Sequence, residues 1–169
     1  MRRRTTVLAA SLFALLLAVP AAASASGRGE MLAFETMASV TEPFTGTANP
    51  IRDLAGGGLP WEIDEAEGKL HSNGKLEINV EGLVLARRAP VPPDRQGVNP
   101  SPSFKAIVSC VSTDDTGAAT TVNVETGLVP ATASGDARIS TTVDLPDSCI
   151  APVVFVTSPT GAWFSATGR

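Results

Sequence analysis

Leu70-His71-Ser72-Asn73-Gly74-Lys75-Leu76-Glu77-Ile78-Asn79-Val80 sets apolar residues at every second position beyond an Asn-Gly pair. A period of two is the rhythm of a β-strand with one buried face, and Asn-Gly is a dipeptide that tight hairpin turns favour. Two registers fit this turn. A two-residue loop over Asn73 and Gly74 sets Leu76 opposite His71 and Glu77 opposite Leu70, which scatters apolar side chains over both faces. A three-residue loop over Ser72, Asn73 and Gly74, with Gly74 in the left-handed conformation, pairs Leu70 with Leu76 and Gly68 with Ile78. The second register keeps apolar residues on one face and is the one expected.

The same rhythm continues outward from the hairpin. Phe104, Ala106, Val108 and Cys110 form one alternating set, and Ala137, Ile139, Thr141, Val143 and Leu145 form another. Val122 and Val124 mark a shorter strand. The run Val153-Val154-Phe155-Val156 suits a strand covered on both faces. With the stretches 31–37, 43–47 and 161–167, the set comes to about eight or nine strands. Turn formers such as Asp114-Asp115-Thr116-Gly117 and Ala133-Ser134-Gly135-Asp136 lie between them, and 15 Gly and 13 Pro leave little room for long helices. Gly56-Gly57-Gly58 reads as a flexible connector. The expected fold is all-β, an antiparallel two-sheet β-sandwich. The 169 residues suffice for one such domain, expected over 26–169, and not for two.

Residues 1–25 read as a cleaved signal peptide that is helical before removal. Arg2, Arg3 and Arg4 precede an apolar run from Val7 to Val19, followed by small residues with cleavage sites after Ala23 or Ala25, the second preferred. The run is too short for a membrane span, which takes about twenty residues. An Arg3-Arg4 pair without the aromatic and leucine of a twin-arginine signal favours the general secretory route. The expectation is therefore a secreted or extracellular protein with no membrane span in its mature form.

Export explains the cysteines. Two Cys, with no odd thiol left over, predict a Cys110–Cys149 disulfide closing a loop of about forty residues, worth about 4 kcal/mol in the chain-entropy account. The charge fits a free surface. The chain carries 13 Lys and Arg against 17 Asp and Glu, and removing the three leader arginines leaves 10 − 17 = −7. An acidic body argues against nucleic acid as a partner.

Several chemistries lack their residues. One His and two bonded Cys do not make a metal site, and no carboxylate calcium loop has the required spacing. His71, the single imidazole, sits beside a turn without a G-x-S-x-G elbow, so it reads as a solvent-facing side chain. No cofactor motif occurs; Gly56-Gly57-Gly58 lacks the lysine and helix of a phosphate loop.

Glu62, Asp64, Glu65 and Glu67 after Trp61 are the best enzyme argument, since two carboxylates suffice for glycoside hydrolysis. The blander reading is a solvated strand edge, with a bulge or break near Asp64 where the alternation changes parity. Arg87-Arg88 precedes the Pro-rich stretch 89–102, which reads as a crossover between sheets, with a binding loop as the alternative. Trp61 and Trp163 read as core, with a ligand platform as the minority reading. Trp61, Arg87, Arg88 and Trp163 are the candidate ligand-binding residues.

Gly58-Leu59-Pro60-Trp61, Gly82-Leu83-Val84-Leu85, 104–110 and 149–158 together resemble a group of small secreted β-sandwich proteins of high-GC Gram-positive bacteria that have no assigned function. The resemblance spans most of the mature chain, implies export and a compact domain, and brings no catalytic residues. A fainter likeness is to CHRD-type extracellular β-domains, carried by Gly68-Lys69-Leu70 through Gly82-Leu83 and by 154–168. That family's mid-domain histidine pair is absent, so any ligand role tied to it does not carry over. The expected function is that of a secreted, non-enzymatic structural or binding module whose partner is an extracellular protein or glycan. The alternatives are a carbohydrate-active hydrolase using the carboxylates of 62–67 and a carrier of a small apolar ligand. Oligomeric state is not legible in the chain.

Overall fold

The computed structural model describes residues 29–168, so the leader and its cleavage sites lie outside the described residues. Twelve strands occur among them: β1 (Glu30–Phe34), β2 (Ala38–Ser39), β3 (Trp61–Glu62), β4 (Glu65–His71), β5 (Lys75–Glu81), β6 (Val84–Leu85), β7 (Ser103–Thr113), β8 (Ala119–Glu125), β9 (Val129–Pro130), β10 (Ala137–Thr142), β11 (Ile150–Thr157) and β12 (Trp163–Ala166). Four of these have two residues; the other eight match the expected number. A single 3₁₀ turn at Pro93–Arg95 is the one helical element described.

All strand pairings are antiparallel. A four-stranded sheet runs β1-β4-β5-β10, a six-stranded sheet runs β2-β12-β11-β7-β8 with β9 also on β7, and β3 pairs with β6 as a small ribbon. The 70–80 hairpin has the three-residue loop. Leu70 faces Leu76, Gly68 faces Ile78, and Gly74 stands at φ 80°. That register turns Leu70, Leu76, Ile78 and Val80 into the core, where each is at most 2% exposed. They meet Phe104, Val108, Val154 and Val156 of the other sheet in one hydrophobic cluster. Each such side chain contributes about 1.5–3 kcal/mol through burial.

Several strands depart from expectation. The stretch 31–37 is not one strand: β1 ends at Phe34, and three residues later β2 begins in the other sheet. The stretch 43–47 is a loop, because the Phe44 N–H closes a turn onto Thr41 O and Gly46 pairs its backbone with Gly56 and Gly57. Strand β7 buries both faces, Lys105, Ile107 and Ser109 as well as the expected Phe104, Ala106, Val108 and Cys110. The second face is covered by residues 40–59, which fold across the outside of the six-stranded sheet. Arg52 O accepts from Asn123 Nδ2 at 2.9 Å and Arg52 Nη2 donates to Ala151 O at 3.1 Å, while Gly56 extends the sheet beside β12 by bridging Trp163 in parallel.

That roof corrects the reading of Gly56-Gly57-Gly58. Gly56 and Gly57 are buried rather than flexible. A Cβ on Gly56 would stand 2.0 Å from Phe44 O, and one on Gly57 would stand 3.0 Å from Trp61 Nε1. Glycine is used there for close approach of backbone to backbone and to a ring. Gly58 alone has open space around it.

Cys110 and Cys149 are bonded, with Cα atoms 4.8 Å apart. Chain leaving β10 in one sheet enters β11 in the other through 143–149, and the disulfide fastens that crossing to β7. The break near Asp64 is also present. Strand β3 ends at Glu62 in the ribbon and β4 starts at Glu65 in the four-stranded sheet, with the Asp64 N–H donating to Glu81 O at 3.1 Å.

Candidate binding face

The sequence-derived candidates do not form one site. Trp61 is 3% exposed and stacks on Phe164 with ring centroids 3.8 Å apart. Trp163 is 4% exposed and packs edge-on to Phe155. Both tryptophans therefore belong to the core, and neither offers a face to a ligand. Arg87 forms an ion pair with Glu62, and its backbone N–H donates to Glu62 Oε2 at 3.1 Å. Arg88 Nη2 donates to Thr41 Oγ1 at 2.9 Å. Arg87 thus clips the chain after β6 to β3 within the ribbon, and Arg88 ties the ribbon to Thr41.

The Pro-rich stretch after them is a crossover from the ribbon to β7. It is held by the Gly97 N–H to Leu85 O, the Leu85 N–H to Val98 O, and Asn99 Nδ2 to Thr132 O. Val91, within the stretch, is buried.

The four acids after Trp61 go to three surroundings. Glu62 is held by Arg87. Asp64 lies at the corner, so close to Gly82 that a Cβ there would meet its Oδ2 at 2.2 Å. Glu65 and Glu67 point to solvent from β4. Glu67 lines a concavity.

That concavity is an open groove of about 750 Å³ on the outer face of the four-stranded sheet. Strand alternation builds it. The residues between the core-facing positions form two rows across the sheet: Glu67, Asn79 and Arg138 in one, and Ala33, Lys69, Glu77 and Ser140 in the next. Neighbouring strands stand about 4.8 Å apart, so each row spans roughly 10 Å or more. Gly68 and Ile78 contribute the floor, and Glu30 and Glu35 stand at the β1 side.

The groove is acidic on balance, with Glu30, Glu35, Glu67 and Glu77 against Lys69 and Arg138. Lys69 reaches Glu30 at 3.8 Å, and Lys75 reaches Glu77 at 3.0 Å. The Lys75 hydrogen bond and charge hold the Glu77 carboxyl below its usual range, with Arg138 and His71 adding to the effect. Among the described residues Glu35, Glu67 and Arg138 form no ion pair, so these three charges remain free to meet a partner.

A second pocket of about 540 Å³ lies where the chain crosses from β1 to β2. Its apolar walls include Leu32, Met37 and Val153, and Arg52 stands at its side. Arg52 Nη2 donates to Ala151 O at 3.1 Å, while Nη1 is buried without a partner. Arg52 and Asp53 both have positive φ, 52° and 65°, and form the tight turn that bridges Ile51 to Leu54.

The Asp114–Gly117 segment is turn chemistry. Asp114 Oδ1 accepts from the Thr116 and Ala118 N–H groups and from Thr116 Oγ1. Among the described residues no cluster of three or more His, Cys, Asp or Glu stands in metal-binding arrangement, and no helix is long and apolar enough to cross a membrane.

Comparison with family models, curated proteins and solved structures gives no match to this chain. The functional reading therefore rests on its own geometry.

Proposed function

We propose that the protein is an exported binding module without catalytic activity, and that its contact surface is the outer face of the β1-β4-β5-β10 sheet. The observation that carries this reading is the unequal treatment of the two sheets. The Ile51–Leu54 turn lies over the six-stranded sheet, where Arg52 bonds Asn123 and Ala151, whereas the four-stranded sheet leaves its outer face open, grooved and charged. An open face whose Glu35 and Glu67 form no ion pair among the described residues favours a partner bearing basic groups, and the −7 charge of the mature chain steers such a partner toward it. Sugar rings bind best on flat aromatic faces; the groove's aromatic is Phe34, whose ring edge packs against Gly68, and around it stand acids, an amide and bases. A basic segment of an extracellular protein is thus the best-supported partner.

The hydrolase alternative has less support, since its four acids occupy three separate surroundings. The carrier alternative has its best place in the pocket beside Arg52.

A test uses oligolysine and oligoglutamate peptides and a neutral oligosaccharide as probes of the purified protein by titration calorimetry. The expected result is binding of oligolysine alone, weakened by added salt and at least tenfold by the double change Glu35→Lys and Glu67→Lys. Binding that is unaffected by the double change, or no binding of oligolysine, refutes this placement of the contact surface.

A further inference from the structure

The edges of the two sheets are not protected alike. An exposed edge offers unpaired N–H and C=O groups to any strand that meets it, and proteins blunt such edges with short strands, bulges, charge or proline. Strand β2 has two residues, β1 carries a bulge between Glu30 and Leu32, and β10 carries Arg138. Strand β8 has none of these devices before its last residue, Glu125. Among the described residues it pairs with β7 alone, over seven consecutive residues without a bulge, and Ala119 to Val124 contains no charge and no proline.

Its free hydrogen-bonding groups can be assigned. The Asp114 N–H bonds Ala118 O and the Thr126 N–H bonds Ala106 O, so the even-numbered residues between them direct their backbone groups at β7. The odd-numbered residues Ala119, Thr121, Asn123 and Glu125 therefore direct theirs outward. Val122 and Val124 face the core side yet stay half-buried, because the sheet stops beside them.

We propose that β8 pairs antiparallel with β8 of a second copy of this chain, about a two-fold axis at Val122 normal to the sheet. This register sets Thr121 opposite Asn123 and Ala119 opposite Glu125 of the other copy, which matches outward groups to outward groups in about eight hydrogen bonds. Val122 meets its own symmetry mate and gains apolar cover, and Val124 meets Thr120 of the other copy. The sole charge, Glu125, faces an alanine and is already paired with Lys105, so no like charges oppose each other. The strand is complementary to itself in hydrogen bonding, apolarity and charge together.

One strand pair is a small interface, so the dimer is weak, with a dissociation constant on the order of 10–100 μM. Sedimentation of the purified protein from about 1 μM to about 1 mM should show the mass double, and amide exchange at Thr121 and Asn123 should slow as concentration rises. Thr121→Pro removes an outward N–H without breaking a bond to β7, so it should leave the fold intact and abolish the dimer. A protein that stays monomeric throughout, or a dimer whose Thr121 and Asn123 amides exchange as fast as in the monomer, overturns the proposal. If Thr121→Pro fails to fold, the exchange pattern of the unaltered protein decides. A dimer that persists in folded Thr121→Pro also overturns it.

Discussion

Gly74 and Gly117 provide a matched pair for separating backbone strain from steric overlap. Their φ angles are nearly equal, 80° and 82°. A Cβ at Gly117 would meet nothing within 4 Å, whereas one at Gly74 would stand 1.9 Å from Val143 O and 3.1 Å from Val143 C. Replacing either glycine by alanine puts a Cβ into the left-handed region, at about 1–2 kcal/mol. Gly117→Ala should lose about 1 kcal/mol, because alanine also restricts the unfolded chain. Gly74→Ala bears the same strain plus an overlap that only a backbone shift of more than 1 Å can relieve, since ordinary contact begins at 3.4 Å.

That shift would break the 3.0 Å hydrogen bond from the Val143 N–H to Gly74 O, worth about 1 kcal/mol net, and would add overpacking of about 1–3 kcal/mol. The expected loss at Gly74 is therefore about 3–5 kcal/mol, at least about 2 kcal/mol more than at Gly117. Urea denaturation followed by the fluorescence of buried Trp61 and Trp163 measures both. Equal losses, within about 0.5 kcal/mol, would refute the contact between the hairpin loop and the end of β10.

Replacing Cys110 and Cys149 together by alanine should lower stability by about 4 kcal/mol, the chain-entropy value for a sequence separation of 39. A loss under about 1 kcal/mol by urea denaturation would mean that packing alone holds the crossing from β10 to β11. Asp53→Gly should raise the stability by about 1 kcal/mol, because the exposed Asp53 is held at φ 65°; a lowered melting temperature would refute this. Asp136 has its carboxyl held below the usual range by the Ser134 hydroxyl, the Gly82 N–H and the Thr132 hydroxyl. A folded-state pKa that is depressed adds stability above the unfolded value and loses it as pH falls through the folded one. The stability gap between the protein and Asp136→Asn should thus stay level above about pH 5 and close below about pH 4, as read by denaturation across that range; a gap that does not change with pH would refute it.

The hairpin register was legible because two independent constraints agreed, turn chemistry at Asn73-Gly74 and the parity of Leu70, Leu76 and Ile78. The disulfide and the core placement of both tryptophans were legible from residue type and pairing. The passage from β1 to β2 was not, since a strand that changes sheets keeps its apolar content while its period is lost over three residues. Gly56 and Gly57 were misread because glycine marks both flexible chain and close approach, and only the positions of Phe44 and Trp61 distinguish the two. The groove was missed for another reason. Glu67, Asn79 and Arg138 lie on solvent-facing positions of three strands, and alternation shows that each points outward. Their alignment depends on β10 pairing with β5, which sets Arg138 opposite Asn79, 138 − 79 = 59 residues away in the chain, a contact that no local pattern encodes.

The groove and the β8 edge bear on each other through symmetry. A two-fold axis normal to the six-stranded sheet keeps the core side of both copies on the same side of the joined sheet. Both four-stranded sheets then lie on that side, and both grooves open in one direction. A target that repeats its basic segments along a surface could engage the two grooves at once, and the second engagement would proceed at the effective concentration set by their fixed spacing. Dimerisation would thus tighten binding to an array without touching either groove. Thr121→Pro should weaken retention on surface-immobilised polylysine by about tenfold or more while leaving the affinity for a short oligolysine peptide in solution unchanged. Equal loss in both assays would place Thr121 within the contact surface itself, and no loss in either would mean that the two grooves act singly.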